Sequence, residues 1–235
     1  MNNIVIGIEG MVASGKTSIC KELINMIPNS IFIDGGNIYR GIVEAILKSG
    51  IDVSSIAKPE NLSNFNPLDL MKKLQVEFKI EDKMTQIYIS GKKIQEEEIQ
   101  SVENSVGVSS MASTANNKSL FVFANGIIEQ YRKQYNIIVS ARDLVDIYPN
   151  MTCHVFVTSS LESRIQRRYN QYNGKYSIDE VKDMIVKRDL LHEQSGFNKK
   201  CDRTIEVDVT DCKNAKDSAE KILKQVERII KNEQL

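Results

Sequence analysis

The sequence predicts an α/β protein with a parallel sheet flanked by helices, a small antiparallel-sheet insertion and a helical lid. Three observations lead to this fold class. Short β-branched runs, such as the one at residues 4–8, are typical of strands buried on both faces of a parallel sheet. Segments with helical spacing of apolar residues alternate with these runs, as in βαβ units. Between about residues 70 and 100 apolar residues instead alternate with polar ones, which indicates antiparallel strands.

The first 50 residues predict two strand–helix units in succession. The strand at residues 4–8 ends in a glycine loop, and the helix that follows ends before Pro28. A second strand at residues 30–33 leads into a helix from about residue 37 to residue 49, which Gly50 ends. This opening is the reason for expecting parallel strands.

The remainder predicts the insertion and then the second half of the core. Alternating residues at 76–80 and 87–89 form the antiparallel part, residues 61–67 form a linker, and helices are expected at about 103–116 and 118–134. Further strands are expected at 137–139, 154–157 and 204–207, and further helices at 160–172 and 177–193. One apolar stripe predicts a C-terminal helix: Ala215, Ala219, Ile222, Val226 and Ile229. We therefore expect a core of residues 1–65 and 106–235, a lid around 164–193, and an insertion of residues 66–105.

Composition excludes several classes of protein. The chain has 235 residues, with 31 basic and 31 acidic side chains and a formal charge of zero, whereas duplex-binding proteins usually carry a basic excess. No apolar run approaches the roughly 20 residues that span a bilayer. The four cysteines form no CxxC pair and there are two histidines, so we expect reduced thiols and no zinc cage. These observations predict a cytoplasmic protein with small-molecule partners, without nucleic acid or membrane among them. We also expect a monomer, although none of these observations determines the oligomeric state.

The strongest motif is G-x-x-x-x-G-K-[ST], which the segment GMVASGKT matches at residues 10–17. The motif lies between a predicted strand and a predicted helix, as this phosphate-binding loop (P-loop) requires. Its glycines let backbone N–H groups surround phosphate oxygens at a helix N-terminus. Lys16 is expected to neutralise the β- and γ-phosphates of a nucleoside triphosphate, and the Thr17 hydroxyl to ligate Mg²⁺. The predicted ATP-binding residues are Gly10, Met11, Val12, Ala13, Ser14, Gly15, Lys16, Thr17 and Ser18.

Two further segments place arginines at the carboxyl ends of predicted parallel strands, where ligand crevices form. The segment IDGGNIYR ends at Arg40, which fits bidentate binding of a second phosphorylated substrate, and which also fits an ordinary helix start with a surface arginine. The segment VSARD supplies Arg142 and Asp143. Asp143 fits three roles: it orients the arginine, accepts a substrate hydroxyl, or holds the metal through water. The pair also fits a solvated turn.

A basic helix face follows later in the chain. Arg164, Arg167 and Arg168 have i, i+3, i+4 spacing, Lys175 lies in the next loop, and Arg188 lies one helix later. Such a face is often only solvated, but phosphoryl transfer needs cations that close over the γ-phosphoryl group and exclude water. The family resemblance given in the next paragraph selects Arg164, Arg168 and Arg188 from these cations; with Lys16, Arg142 and Asp143 they are the catalytic candidates.

Taken in order, GMVASGKTS, IDGGNIYR, VSARD, SRIQRR and the KRD of residues 187–189 make the sequence resemble the cytidylate kinase family over nearly the whole chain. IDGGNIYR is the most family-specific segment, since many kinases share the P-loop. The resemblance implies a core, a monophosphate-binding insertion with a three-stranded sheet, and an arginine-bearing lid. It also implies transfer of phosphate from ATP, with Mg²⁺, to CMP or dCMP. The acceptor-binding positions that it implies are Asp34, Gly35, Tyr39, Arg40, Ser109, Lys118, Arg142, Asp143 and Arg188.

The sequence departs from this family at the acceptor site. Gly35 stands where the family commonly has Ser, and Ser140 with Ala141 stand where it has Asp-Gly. Lys118 replaces an arginine, which keeps the charge but loses the bidentate fork. The Asp and Arg expected beyond Arg188 fall near His192 and Ser195.

Three hypotheses follow. The first is phosphoryl transfer to CMP or dCMP. The second keeps the chemistry but uses UMP or a non-nucleotide phosphate acceptor. The third is a nucleotide-binding regulator with little turnover.

Overall fold

The computed structural model describes residues 3–52, 67–99, 101, 103–104, 107–108, 118–194 and 199–232. The chain divides into two compact units, the first formed by Met1–Phe32 with Gln134–Leu235 and the second by Ile33–Lys133. Residues 61–66 of the predicted linker 61–67, most of the predicted helix at 103–116, Ser109 and Ser195 lie outside the described residues, and Pro67 begins a helix.

The strands are β1 (Val5–Gly10), β2 (Ser30–Asp34), β3 (Val76–Glu81), β4 (Met84–Ile89), β5 (Lys92–Lys93), β6 (Asn136–Ser140), β7 (Cys153–Thr158) and β8 (Thr204–Asp208). The helices are α1 (Lys16–Met26), α2 (Gly35–Lys48), α3 (Pro67–Lys73), α4 (Glu96–Ile99), α5 (Lys118–Arg132), α6 (Leu144–Ile147), α7 (Leu161–Tyr172), α8 (Ile178–Gln194) and α9 (Ala215–Asn232).

The first unit is built on a parallel sheet in which neighbouring strands follow the order β2-β6-β1-β7-β8. The central strand β1 is buried along its whole length, and Ile6 lies opposite Ile138 on β6 and Cys153 on β7. Such a strand has no solvated face, which explains its continuous apolar run. The predicted parallel sheet is confirmed, with each strand one or two residues longer than its apolar run.

Helices cover this sheet through the apolar stripes that the sequence predicts. Helix α1 packs against α9, and α7 packs against α8. Ala219, Ile222 and Val226 of α9 are buried, whereas Ile229 is only half-buried and Ile230 takes its place in the core. No helix in the described part of the chain combines the length and the apolar character needed to cross a bilayer.

The second unit contains the predicted antiparallel strands. β3 pairs with β4 and β4 with β5, with Phe78 opposite Ile87. Helix α2 packs on β4 at Gly41, where a Cβ would lie 2.6 Å from Ile87 Cδ1, so glycine permits the close approach. The antiparallel segment is therefore confirmed, while its boundaries as a functional domain stay a prediction.

Candidate functional site: a phosphate-binding loop in the first unit

The loop between β1 and α1 begins at a position that only glycine can occupy. Gly10 has φ +144°, and a Cβ there would lie 2.1 Å from the carbonyl oxygen of Val157. The next residue, Met11, donates its N–H to that same carbonyl at 3.2 Å. β1 thus passes directly alongside β7 into the loop, and the close backbone approach fixes where the loop starts.

The end of the loop leaves the N-terminus of α1 open toward an anion. Gly15 has φ +90° and precedes the helix without any side-chain capping bond, and no acidic residue occupies the first turn. Ser14 is buried, and its Oγ has no hydrogen-bond partner among the described residues. Uncapped N–H groups and the positive end of the helix dipole are the features that bind phosphate.

Lys16 folds back over this loop. Its Nζ donates to the carbonyl oxygens of Gly10 at 2.9 Å and Met11 at 2.8 Å. Burial, and after it the nearby guanidinium groups of Arg142 and Arg188, lower the pKa of Lys16 to about 8. A bound phosphate would reverse these effects, because an anion favours the charged form of the ammonium group.

The Lys16 ammonium is therefore part of a cationic cluster. Arg142, on the loop after β6, and Arg188, on α8, are both exposed and both act electrostatically on Lys16. His192 lies one turn beyond Arg188; burial, Arg142, Arg188 and Lys16 together lower its pKa to about 4. The structure thus brings Lys16, Arg142 and Arg188 together as the sequence predicts, and it adds His192.

Arg164 has a different environment from these exposed arginines. It is 5% exposed, its Nε donates to the Ser159 carbonyl oxygen at 3.1 Å, and its Nη1 donates to the Val12 carbonyl oxygen at 3.2 Å. Nη1 also pairs with Asp189, whose other carboxylate oxygen accepts the Val12 N–H at 3.3 Å. Arg164 and Asp189 therefore clamp Val12 in the loop from both its N–H and its carbonyl. Contact of Arg164 with a transferring phosphoryl group stays a prediction.

The sequence does not predict that two further side chains, Asp189 and Arg167, hold the P-loop in place. Asp189 follows Arg188 in the KRD segment, but its partner Val12 lies 177 residues away. Arg167 was placed on the basic helix face only; it donates to the carbonyl oxygens of Ser14 at 3.5 Å and Val209 at 2.9 Å. The i, i+3 spacing of the two loop-holding arginines, 164 and 167, was the available signal.

Arg168 contacts the C-terminal end of its own helix, α7. Its guanidinium lies 5.7 Å from the centre of the Tyr172 ring, and its Nη1 donates to Gln171 Oε1 at 3.2 Å. These contacts differ from those of its neighbours on α7, which bind the P-loop. The catalytic role predicted for Arg168 stays a prediction.

Carboxylates near the loop are relevant to whether a metal ion could bind there. Asp143 has φ +58°, and burial together with the charge of Glu9 raises its pKa to about 6. Among the described residues there is no cluster of three or more His, Cys, Asp or Glu side chains suited to a metal. Mg²⁺ in phosphoryl-transfer sites is held by one or two protein ligands and by substrate phosphates. The exposed Thr17 hydroxyl, at the second residue of α1, suits such a ligand.

The predicted acceptor residues that the structure describes in the second unit lie at the start of α2. Asp34 caps this helix by accepting the Asn37 N–H at 3.1 Å, which is why α2 begins at Gly35 rather than near residue 37. Burial raises the pKa of Asp34, while this hydrogen bond and the charge of Arg40 oppose the rise. Arg40 Nη1 donates to Asn37 Oδ1 at 3.4 Å, and its buried Nε has no partner among the described residues.

The other predicted acceptor positions are only partly described. Gly35 is buried and Tyr39 is half-buried on α2, and Lys118 is the first residue of α5. The structure thus assigns positions to all but Ser109.

Three features define the class of protein: a parallel sheet, a P-loop at the end of its central strand, and an open helix N-terminus beneath a cationic cluster. Together they are typical of a nucleotide-binding protein of the P-loop kinase type. Comparison with known proteins narrows the class. The family model described as "Cytidylate kinase" matches residues 6–228, and the chain belongs to the cytidylate kinase family. It is a nucleoside monophosphate kinase.

Individual relatives agree in extent and identity. The chain is 29% identical over 201 residues to a cytidylate kinase of Alkaliphilus oremlandii, covering 84% of this chain and 85% of the relative. It is 29% identical over 239 residues to a cytidylate kinase of Fusobacterium nucleatum, covering 97% of this chain and all of the relative (100%). Among solved structures, a gluconokinase from Sinorhizobium meliloti 1021 aligns over 98% of this chain and 95% of its own length. The two chains are 13% identical, and the TM-score is 0.46.

Proposed function

We propose that the protein transfers the γ-phosphoryl group of ATP to a pyrimidine nucleoside monophosphate, CMP or dCMP, and releases the diphosphate and ADP. The observation that carries this proposal is the convergence of Lys16, Arg142 and Arg188 on the P-loop, where burial and mutual repulsion lower the pKa of Lys16 to about 8. Bound phosphates favour the charged forms of these groups, because an anion stabilises the cations beside it. In this proposal the partners of the protein are small-molecule nucleotides, and the protein acts as a monomer in the cytoplasm.

In the proposed reaction the P-loop binds the donor. The N–H groups of the loop and of α1 hold the phosphates, and Lys16 leaves the carbonyl oxygens of Gly10 and Met11 to bind the β- and γ-oxygens. Thr17 would hold Mg²⁺, which when bound neutralises charge on these oxygens. Arg142 and Arg188 stabilise the negative charge of the transferring group, and Arg164 with Asp189 keeps the loop in place.

Acceptor binding is assigned to the arginine at the start of α2 and to the pair after β6. The buried Nε of Arg40 supplies a donor for the acceptor phosphate, together with Lys118. Arg142 is a further acceptor-phosphate residue that the family resemblance implies, and Asp143 positions the acceptor nucleoside. No covalent intermediate is required, because positioning and charge neutralisation account for catalysis of phosphoryl transfer.

A different acceptor is the second candidate. Four residues depart from the family pattern at positions that the resemblance assigns to the acceptor site: Gly35, Lys118, His192 and Ser195. His192 in particular lies in the cationic cluster of the P-loop, and its pKa of about 4 makes it neutral where a carboxylate would be charged. This change favours an acceptor such as UMP or a non-nucleotide phosphate compound.

An acceptor panel tests the proposal. ADP release from ATP with Mg²⁺ is measured in a coupled assay over CMP, dCMP, UMP, AMP and GMP. We expect CMP or dCMP to give the highest kcat/KM. A highest value with UMP would favour the second candidate. ATP binding without acceptor-dependent ADP release would contradict both and favour a regulator.

A further inference from the structure

The arginine at the start of α2 shares one stripe of that helix with an acidic residue. Glu44 lies four residues after Arg40, and oppositely charged side chains at this spacing are neighbours that attract each other. In the part of the chain that the structure describes, Arg40 nevertheless forms no ion pair. Its Nη1 donates to Asn37 Oδ1 at 3.4 Å, and its buried Nε has no hydrogen-bond partner. The carboxylate closest to Arg40 along the helix surface therefore leaves the guanidinium unneutralised.

The Glu44 carboxylate is held by two other side chains. Its Oε1 lies 3.1 Å from Nζ of Lys48, one turn further along α2. Its Oε2 accepts a hydrogen bond from Asn104 Nδ2 at 2.7 Å. Each carboxylate oxygen of Glu44 thus has a partner other than Arg40.

Of these two partners, Asn104 is the fixed one. Its side chain is fully buried, and its Nδ2 also donates to the Glu98 carbonyl oxygen at 2.7 Å. Its backbone N–H donates to Ser101 Oγ at 3.1 Å. The Lys48 side chain is 38% exposed, and exposed ion pairs of this kind contribute little because water competes for them. The position of the Glu44 carboxylate therefore depends mainly on Asn104.

The Asn104 amide can adopt only one orientation. Both groups that face Nδ2 are acceptors, so a flipped amide would place Oδ1 against a carboxylate oxygen and a carbonyl oxygen. In the observed orientation Oδ1 is buried and has no hydrogen-bond partner among the described residues. A buried acceptor without a partner costs stability, which an apolar side chain of similar size would avoid. An asparagine at this position is accounted for by its NH₂ group, which holds Glu44.

Holding Glu44 in this way matters for an anion that binds Arg40. A carboxylate and a phosphate both bind a guanidinium through a pair of oxygens, so a Glu44 carboxylate paired with Arg40 would compete with the phosphate for the same donors. Asp34 is a second carboxylate whose charge interacts with that of Arg40, and it is already engaged in capping α2. With both carboxylates engaged elsewhere, the Nε of Arg40 stays available.

We propose that Asn104 is a positioning residue of the acceptor site, which holds the Glu44 carboxylate through Oε2 and so keeps it from pairing with the phosphate-binding Arg40. This inference rests on the proposed function, in which Arg40 binds the acceptor phosphate. It does not depend on which phosphorylated compound is the acceptor.

The test is a double-mutant cycle between Asn104 and Glu44 in the full chain, with KM measured for CMP and for ATP in turn. Asn104→Leu keeps the approximate size of the side chain and removes the NH₂ donor, which releases Glu44 to pair with Arg40. We expect KM for CMP to rise by about three- to fivefold, the effect of one partly exposed ion pair that competes with the phosphate. KM for ATP should stay the same, because the P-loop is unchanged.

The second substitution of the cycle separates this role from a merely structural one. Glu44→Gln removes the competing charge, so adding it to Asn104→Leu should return KM for CMP to within about 1.5-fold of the unchanged protein. If Asn104 only supported the fold, the loss of a second polar partner would leave the rise in place or increase it.

The matched control is Lys48→Ala, which removes the exposed partner of Glu44 and leaves Asn104 in place. This variant should change neither KM. The inference is overturned by an unchanged KM for CMP in Asn104→Leu, by a rise that Glu44→Gln does not reverse, or by an equal rise in KM for ATP or in the control.

A measurement without turnover keeps the test independent of the acceptor and of variant folding. ¹⁵N NMR follows the Nε–H of Arg40, assigned through its loss in Arg40→Lys. Glu44→Gln alone should leave this signal in place, because the two side chains are not paired; a clear shift overturns the inference. In Asn104→Leu the signal should move as the guanidinium gains a carboxylate partner, and the added Glu44→Gln should return it.

The two proposals fail in different ways. If the unchanged protein releases no ADP with any phosphorylated acceptor, the proposed function fails. If it turns over CMP and the Arg40 signal does not move in Asn104→Leu, only the role of Asn104 fails.

Discussion

The P-loop of the first unit and the start of α2 in the second unit both present cations at a helix N-terminus, but they are held differently. In the P-loop the cation, Lys16, lies on a backbone that the buried Arg164 of α7 and the partly exposed Asp189 of α8 fix at Val12. At α2 the Asp34 carboxylate already caps the helix, and the buried Nε of Arg40 is a donor without a hydrogen-bond partner in the part of the chain that the structure describes.

This difference predicts which residues of each site tolerate mutation. In a capped helix N-terminus the first N–H groups already have a hydrogen-bond partner, so phosphate binding there depends on one side chain. An uncapped one binds through several backbone groups at once, provided that the loop keeps its shape. The loop should therefore be sensitive to changes in its supports, and α2 should be sensitive to the chemistry of Arg40.

The largest effect is expected for Arg164→Ala. The change leaves Asp189 without its buried partner; because Asp189 is 30% exposed, we expect a loss of about 2–3 kcal/mol in the free energy of unfolding. For a chain of this size the melting temperature falls by roughly 5–10 °C. Thermal unfolding by circular dichroism measures this change.

The matched control is Arg168→Ala on the same helix, whose guanidinium contacts Tyr172 and Gln171. It should change the melting temperature by no more than about 2 °C. Equal losses in the two variants would refute the distinction between a buried loop clamp and a more exposed arginine.

An intermediate effect is expected for Arg40→Lys. Lysine keeps the charge but lacks the Nε donor and the planar fork, so KM for the acceptor should rise by about tenfold while KM for ATP stays the same. Steady-state kinetics with each substrate varied in turn measures both constants. Lys48→Ala, at the exposed end of the same helix, is the control and should leave both unchanged. An equal rise in KM for ATP would mean that Arg40 does not act on the acceptor.

The sequence predicted the P-loop because its chemistry is local: six residues separate Gly10 from Thr17, and the two glycines, the lysine and the threonine each meet a requirement of their own. It predicted the strands of the sheet because they are buried on both faces. It missed the two-residue early start of α2 because the capping bond of Asp34 competes with the apolar pattern that begins at Ile38.

The supports of the site could not be predicted in the same way. The clamp of Val12 by Asp189 spans 177 residues, and the pair of Glu9 and His154 spans 145. Neither pair has a local spacing that a pattern can detect, because strand order in the sheet brings the partners together. From the sequence alone, a single histidine on a predicted strand such as His154 is interpreted as a structural residue, because its neighbour Glu9 becomes evident only in the fold.

The smallest effect is expected for Asp143→Asn, and it is a change in pH dependence. The pKa of Asp143 is about 6 in the folded protein and 3.8 for the ordinary group, so ionisation at neutral pH disfavours the folded state. Stability from this carboxyl is lost as pH rises from about 4 to about 6. Asp143→Asn should therefore melt at a higher temperature than the unchanged protein at pH 7.5, and the difference should disappear near pH 4. Asparagine also accepts the positive φ at this position. A constant difference across this range would refute the assignment.

The account depends most directly on Lys16 as the phosphate-binding cation, and equilibrium binding of ATP measured by calorimetry tests it. Lys21, an exposed residue on the same helix, provides the control variant. We predict that Lys16→Ala weakens ATP binding by about a hundredfold, roughly 2.7 kcal/mol, at pH 7, while Lys21→Ala binds ATP as the unchanged protein does. A Lys16→Ala protein that folds and binds ATP with unchanged affinity would contradict the account.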